Sequence, residues 1–519
     1  MNAERKQIKS IMILGTASNV GKSIVATGLC RILYQDGFSV APFKAKNIGL
    51  NSGVSEDGGE IGRGQIVQAI AAGVKPTVDM QPILVKPDGK VGGELIVRGK
   101  VATEELKQQY YKDRLWSIAT ESFDIIASQY EVVIMEGAGS PAEPNLMDTD
   151  IANVRMAKYA KAPIILVGDI DPGGVFASLE GTVNIIRRKD PKAGELIKGL
   201  IINKFRGERK YLESVLQELI EVTGVPILGV IPFMEDHGIP DEDTYKLSRK
   251  NTLKENAVLD AVVLRTPSLQ NSDEFDPLVR TPGVQVRFID RQEEFGNPDL
   301  VLLGGSKSTV SDLTWLRVKG LADLVTKHAL DGKAVIGICG GFQMLGKVIL
   351  DPEGVESGQA EVRGLDLLPV ITKFEKGKEK ITQQTMSRIT RDYGLLQGAK
   401  DMSITGYEIH MATTEMIDGS PIETISLSVD KAVIGTYYHG ILQNQGPRRI
   451  ILENIARQKG VVLPLEENMK AGEEYNHLAD IVRKNVDMEL LAKIIGINLN
   501  NLTPLARFMQ TDRYWIMFG

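Results

Sequence analysis

"IMILGTASNVGKSIVATGLCRIL", residues 11–33, reads as an apolar run, a loop of small residues closing on Gly-Lys-Ser, and a helix. Val25, Leu29, Ile32 and Leu33 give that helix one apolar face. A buried strand running through such a loop into a helix is the setting in which backbone N–H groups and the positive helix end hold anionic oxygens. The spacing is unusual: five residues separate Gly15 from Gly21, where the common phosphate loop has four. On this reading Gly15, Thr16, Asn19, Val20 and Gly21 belong to the nucleotide cradle. Lys22 reaches the terminal phosphates and Ser23 offers its hydroxyl to Mg²⁺. A plain glycine-rich turn is the competing reading, and the flanking strand and helix weigh against it.

Outward from this loop, "SIMILG" (10–15), "EVVIMEGAG" (131–139), "APIILVGDI" (162–170) and "IKGLIINKF" (197–205) are Ile- and Val-rich runs. Continuous apolar runs of this length fit strands buried on both faces of a parallel sheet. Helical patterns at 23–36, 60–73, 102–128, 151–160, 174–189 and 208–223 lie between them. The result is a doubly wound α/β unit that binds ligand beyond the carboxyl ends of its strands. It ends at "PILGVIPFM" (226–234), before a polar stretch without apolar periodicity. A second α/β series follows: "LDAVVLR" (259–265), "VQVRFID" (284–290), "PDLVLLGGS" (298–306) and "KAVIGICGG" (333–341). Beyond residue 360 the pattern becomes β-rich, then helical. The expected division is a first unit over 1–235, a linker over 236–257, a second unit over 258–450, and a helical segment with a tail over 451–519. The last stretch, 499–519, receives no element.

The 519 residues exceed one ordinary core, and 43% hydrophobic with 25% charged residues is a soluble globular composition. A net charge of −6 argues against a broad nucleic-acid surface. No apolar run approaches a membrane span of ~20 residues, and "MNAERKQIKS" lacks a signal-peptide core. Cys30 and Cys339, the only cysteines, cannot build a disulfide framework. A cytoplasmic setting is expected, with neither nucleic acid nor membrane as partner.

The long spacing in G-T-x-S-x-V-G-K-S resembles the loop of dethiobiotin synthetase-like ATP enzymes, which activate carboxylates. "EVVIMEGAGS" agrees with that likeness, since Glu136 ends a strand before two glycines and can ligate Mg²⁺. "PFKAKNIGLNS" (42–52) places Lys44, Lys46, Asn47 and Asn51 after another strand, suited to phosphate or a substrate carboxylate. Asn203 and Lys204 end a later strand, where a purine could be read. Taken alone, "EVVIMEGAGS" and "PFKAKNIGLNS" each fit a solvated loop as well. Cys30 lies within the helix and reads as a small core residue.

"AVIGICGGFQMLG" (334–346) carries the second site. A strand enters Gly337-Ile338-Cys339-Gly340-Gly341, the arrangement of a nucleophile on a sharp strand-to-helix turn. The Gly340 N–H supplies half of an oxyanion hole, and Gly304 or Gly305 of "LLGGSKST", with Gly305 preferred, the other half. Of five histidines, His237, His328 and His477 read as structural or exposed. His439 in "AVIGTYYHG" is the expected base, while His410 either lines the same pocket or packs within its strand.

"GICGGFQMLG" followed by "YYHG" resembles the triad-type (class I) glutamine amidotransferases. Joined to the dethiobiotin synthetase-like front end, it resembles the cobyric acid synthase family over roughly residues 8 to 495. The specific stretches are "NSGVSEDGGEIGRGQ", "VDMQPILVKP", "EGAGSPAEPNL", "DTDIANVRMA", "GGVFASLEGT" and "GYEIHM". The resemblance implies an ATP-binding synthetase unit fused to a glutaminase whose catalytic pair is Cys339 and His439. It implies ATP- and glutamine-dependent amidation of the b, d, e and g carboxylates of adenosylcobyrinic acid a,c-diamide, the corrinoid being substrate. A homo-oligomer stays open. Two positions depart from pattern. Ile441 stands where most triad enzymes carry Glu, as in the cobyric acid synthase branch, and Glu408 is one candidate to orient the histidine. Pro172 stands where family members usually carry Arg, which puts a substrate or phosphate contact in question. Cobyrinic acid a,c-diamide synthase, and more distantly a partitioning-type ATPase switch, are the alternatives. The switch predicts a basic or amphipathic docking element and no second active site.

Overall fold

The computed structural model describes residues 9–87, 93–103, 113–234, 237–240, 254–422, 425–427, 432–466 and 472–499. Most of the expected linker, and the tail from residue 500, lie outside these. Strands β1 (Lys9–Gly15), β2 (Val40–Phe43), β3 (Val132–Glu136), β4 (Ile164–Asp169), β5 (Ile197–Phe205) and β6 (Ile227–Pro232) form a parallel sheet in the order β6–β5–β4–β1–β3–β2. The chain builds one side of β1 with β2 and β3, and the other with β4 to β6. The carboxyl end of β1 is therefore the switch point at which such a sheet opens a ligand crevice. Alternation along β1 explains its unbroken apolar text. Ile11 and Ile13 enter the core on the face of helix α1 (Lys22–Gln35), while Met12 and Leu14 enter the core on the opposite face.

"NSGVSEDGGEIG" folds as a hairpin, Ser52–Val54 against Glu60–Gly62, and feeds helix α2 (Arg63–Ala71). A helix from residue 60 was expected; Gly58, at φ 78°, instead closes the hairpin turn and delays the helix to Arg63.

The second sheet has strands β7 (Leu259–Leu264), β8 (Val284–Ile289), β9 (Leu300–Leu303), β10 (Ala334–Ile338), β11 (Ser426–Leu427) and β12 (Val433–Thr436), ordered β8–β7–β9–β10–β12–β11. All pairs are parallel except β11 with β12. Cys339 follows β10, before helix α3 (Gly340–Leu345). The β-rich text beyond 360 includes a long antiparallel hairpin, Ile381–Arg388 against Ser403–His410, and the latter strand runs past the Cys339 site.

Helix α4 (Gln445–Lys459) crosses residue 450, where a boundary was expected, because Ile451, Leu452, Ile455 and Ala456 complete the core of the second sheet. Helices α5 (Glu473–Asn485) and α6 (Met488–Ile495) return to the first sheet and fill its core on the α1 face. A Cβ added at Gly28 of α1 would lie 2.7 Å from Val482 of α5. Arg483 pairs with buried Asp36 at 2.9 Å, and the Asp487 N–H donates to the Leu228 carbonyl at 2.7 Å. Both helices thus pack into the core of the first sheet. Leu478 is fully buried in this contact, so Leu478→Ala should lower stability by about 2–5 kcal/mol. Urea titration followed by circular dichroism would show the first transition moving to lower denaturant; an unmoved transition would mean α5 is not part of that core.

Candidate functional site

The loop after β1 borders a cavity of about 660 Å³ lined by Thr16, Asn19, Lys22, Ser23, Lys44 and Glu136 among others. Gly21 takes φ 101°, and a Cβ there would lie 2.0 Å from Asn203 Nδ2, so the position admits only glycine. Lys22 Nζ folds back over the loop, donating to the Ala17 and Gly139 carbonyls at 2.9 and 3.1 Å. Ser23 Oγ and Lys44 Nζ both donate to Glu136 Oε1, at 2.9 and 3.0 Å, and Gln68 Nε2 of α2 donates to Oε2 at 2.5 Å. The buried carboxylate is therefore fixed from three elements. Lys46, Asn47 and Asp150 also line the cavity, and burial raises the Asp150 carboxyl above its ordinary range despite hydrogen bonds from Ala152 and Asn153.

Gly15, Val20 and Asn203 stand behind the loop. Gly15 packs against Val20 and Lys22, and Asn203 Nδ2 donates to the Val20 carbonyl at 2.8 Å, while its buried Oδ1 has no partner among the described residues. Asn51, expected at substrate or phosphate, does not line this cavity. It lies at the seam with the second unit, where its Oδ1 accepts from the Asn271 N–H at 2.8 Å, because the hairpin it opens faces that unit. Pro172 is exposed in the turn after β4. Among the described residues, no group of three or more His, Cys, Asp or Glu is arranged to hold a metal.

Cys339 adopts φ 52°, ψ −107°, a strained conformation for a residue with a side chain. Small neighbours permit it: a Cβ at Gly341 would lie 2.1 Å from the Leu303 carbonyl oxygen. Its Sγ donates to the Ile409 carbonyl at 3.5 Å, and the His439 imidazole lies close enough to feel its charge. His439 Nδ1 meets Glu274 Oε1 at 2.7 Å, which leaves Nε2 for the sulfur. The other carboxylate oxygen accepts from the Gly440 N–H at 3.3 Å. Tyr407 stacks on the imidazole at 5.0 Å between centroids. Burial opposes a charge on His439, but the Glu274 carboxylate and the Cys339 sulfur outweigh it and raise its pKa to about 10. Gly305 and Gly340 border the pair: a Cβ at Gly305 would lie 3.2 Å from His439 Cε1, and one at Gly340 would lie 2.7 Å from the Ser306 nitrogen.

Glu274 was missed in the sequence, and Glu408 is not the histidine's partner. Glu408 alternates away from Tyr407 along its strand and accepts from Gln383 at 2.9 Å. Glu274 lies in a 3₁₀ turn, Ser272–Phe275, just beyond the carboxyl end of β7. That position was the available signal, because such sheets gather their sites there. His410 stacks on Tyr437 at 3.8 Å, and burial lowers its pKa to about 4, leaving it neutral. His328 is buried against the Ala334 carbonyl, His237 accepts from the Ile239 N–H, and His477 is exposed. Cys30 is buried, and that burial, with the Glu136 charge, pushes its thiol pKa far up.

The two units define a phosphate-loop synthetase fused to a thiol amidohydrolase. Residues 11–243 match the CobQ/CobB/MinD/ParA nucleotide binding domain, and residues 260–447 match the CobB/CobQ-like glutamine amidotransferase domain. The chain is 43% identical over 504 residues to cobyric acid synthase of Dehalococcoides mccartyi strain CBDB1, covering 94% of this chain and 99% of that protein. It is 41% identical to the Desulfitobacterium hafniense strain DCB-2 protein (95% and 99% covered) and 43% identical to that of Sorangium cellulosum strain So ce56 (94% and 99%), both also named cobyric acid synthase. The chain belongs to the cobyric acid synthase family, as a ligase with a glutamine amidotransferase domain. No helix among the described residues is long and apolar enough to cross a membrane.

Because the folded value of His439 lies above the ~6.5 of a free imidazole, its contribution to stability is complete below that pH and is lost as pH rises through about 10. Glu274→Gln removes the largest force raising it. In ¹³C-imidazole NMR the His439 titration should move down toward or below the free value; an unchanged midpoint would contradict the assignment.

Proposed function

We propose that this chain amidates the b, d, e and g carboxylates of adenosylcobyrinic acid a,c-diamide to give cobyric acid, using ATP and glutamine. The observation that carries the reading is one chain holding both a buried Cys339–His439–Glu274 line and a phosphate loop facing Glu136. Two sites with these chemistries answer two separate difficulties. A carboxylate is a poor acyl donor, and ammonia is mostly protonated near neutral pH, so the amine is released beside its acceptor.

In the second unit, Cys339 Sγ attacks the glutamine amide carbon, and the Gly305 and Gly340 N–H groups face the oxygen that gains charge. His439 returns a proton to the leaving nitrogen, ammonia departs, and a thioester remains. His439 then takes a proton from water as it attacks the thioester, and glutamate leaves. In the first unit, the substrate carboxylate attacks the terminal phosphorus of ATP, giving an acyl phosphate and ADP; ammonia then displaces phosphate. Lys22 offsets the charge that builds on the transferred group. Ser23 Oγ and the Glu136 carboxylate are hard oxygen donors suited to Mg²⁺, which typically takes few protein ligands and shares its shell with phosphate. Bound there, Mg²⁺ supplies charge neutralisation at the phosphates.

We also propose counting α5 and α6 with the synthetase unit and α4 with the glutaminase unit. We place the enzyme in the cytoplasm; two unpaired, buried cysteines and the absence of a membrane-spanning helix among the described residues support this. A switch-type ATPase would have no need of the Cys339 turn or its ordered histidine.

Cys339→Ala should abolish glutamate release while ammonium salts still support ATP turnover with the corrinoid. Lys22→Ala should show the reverse, losing ATP turnover and keeping thiol chemistry. Glu274→Gln should lower the glutaminase kcat by up to about 10⁴-fold, the scale seen when a triad carboxylate is neutralised. If glutamate release survives in Cys339→Ala, the assignment of the second site is wrong.

A further inference from the structure

Helix α2 belongs to the first unit and touches both sites. At its C-terminal half, Gln68 Nε2 holds Glu136 Oε2 at 2.5 Å, beside Ser23 and the phosphate loop. At its first residue, Arg63 Nε donates to Asp273 Oδ2 at 2.7 Å across the seam. Asp273 is the neighbour of Glu274 in the short 3₁₀ turn, and Glu274 orients His439. The same guanidinium sits over the Tyr407 ring at 5.4 Å, and that ring stacks on His439. Arg63 thus reaches the histidine by two routes, through the acidic turn and through the tyrosine. Five residues of helix, about 7.5 Å of rise, separate it from Gln68.

The segment is buried but not fully satisfied. Among the described residues, Gln65, between the two contacts, has neither side-chain polar atom paired, and Gln68 Oε1 and Asp273 Oδ1 also lack partners. Unpaired buried polar atoms are uncommon in a resting arrangement, and a small shift of the helix or turn would change their pairing. By contrast the surrounding seam is closed by paired contacts, such as Asn51 and Ser52 with Asn271.

We propose that helix α2 is a rigid strut through which occupancy of the phosphate site sets the position of the glutaminase histidine, with Arg63 as a positioning residue that the synthetase unit supplies to the other unit's triad. The inference rests on the amidotransferase reading above. When Glu136 takes up a phosphate-bound cation its hold on Gln68 changes, the strut moves, and Arg63 carries that movement to the Asp273–Glu274 turn. Glutamine is then hydrolysed when an ATP-loaded acceptor site is waiting, and ammonia is not wasted.

The test measures two things with and without Mg²⁺ and a non-hydrolysable ATP analogue. One is glutamate release; the other is the rate of Cys339 alkylation by iodoacetamide, followed by intact mass. Wild type should respond to nucleotide by about fivefold or more in both, the scale of an ordinary coupling between sites. Arg63→Ala should flatten that response to less than about twofold in both readouts. Asp273→Asn, nearly isosteric, attacks the same contact from the other side and should do likewise, the double variant losing nothing more. Arg63→Lys, which keeps the charge, should recover part of the response. A wild type whose Cys339 alkylation ignores nucleotide, or an Arg63→Ala enzyme that responds as fully as wild type, overturns the strut. A wild type that never releases glutamate contradicts the amidotransferase reading instead, and the alkylation response still decides the strut.

Discussion

Glu60 is buried at the seam between the two units, and two lysines hold its charge. Lys86, from its own unit, lies 2.6 Å from one oxygen; Lys380, from the other unit, lies 2.7 Å from the second and also reaches Glu94 at 3.0 Å. Burial works against the carboxylate, yet the two ammonium groups outweigh it and hold the Glu60 pKa well below the usual range. Burial also lowers the Lys86 pKa, with Glu60 resisting. Removing one member of such a network leaves an uncompensated buried charge, a loss of roughly 3–5 kcal/mol. Among the described residues, a small apolar cluster of Val54, Tyr407 and Ile409 joins the two units there. Directional ion pairs and hydrogen bonds therefore fix how the units meet, and both active sites inherit their alignment from them.

The second site is enclosed by residues of its own unit. His439 is 2% exposed, with Glu274 on Nδ1 and Tyr407 across its face. Burial opposes a charge on this imidazole, and the Glu274 carboxylate held against it favours one. The first site is built differently: an open cavity with hydroxyl, carboxylate and ammonium groups on its wall suits a charged substrate that must enter and leave.

Much of this was legible in the sequence because it is local. The strand–loop–helix at 11–33 and the Gly337–Gly341 turn each carry their geometry in neighbouring residues, so the strand, loop and helix around Lys22 and the strand-to-helix turn at Cys339 could be read directly. What could not be read is long-range. Glu274 lies 165 residues from His439, and no local pattern distinguishes it from Asp273 or Glu408. Asn51 reads like its neighbours Lys44 and Asn47, and only the turn of the hairpin sends it to the seam. The return of α5 and α6 to the first core could not be read either, since an amphipathic helix does not state which surface it covers.

The central claim, that ammonia made at Cys339 is spent at the phosphate-loop site on a corrinoid, is tested most directly by following nitrogen. Purified enzyme would be given ATP, Mg²⁺, adenosylcobyrinic acid a,c-diamide and glutamine labelled with ¹⁵N in its side-chain amide, and the corrinoid weighed by mass spectrometry. The account predicts a product carrying four labelled amides, with no labelled product from Cys339→Ala. A corrinoid that leaves unchanged while wild type consumes both ATP and glutamine would contradict it.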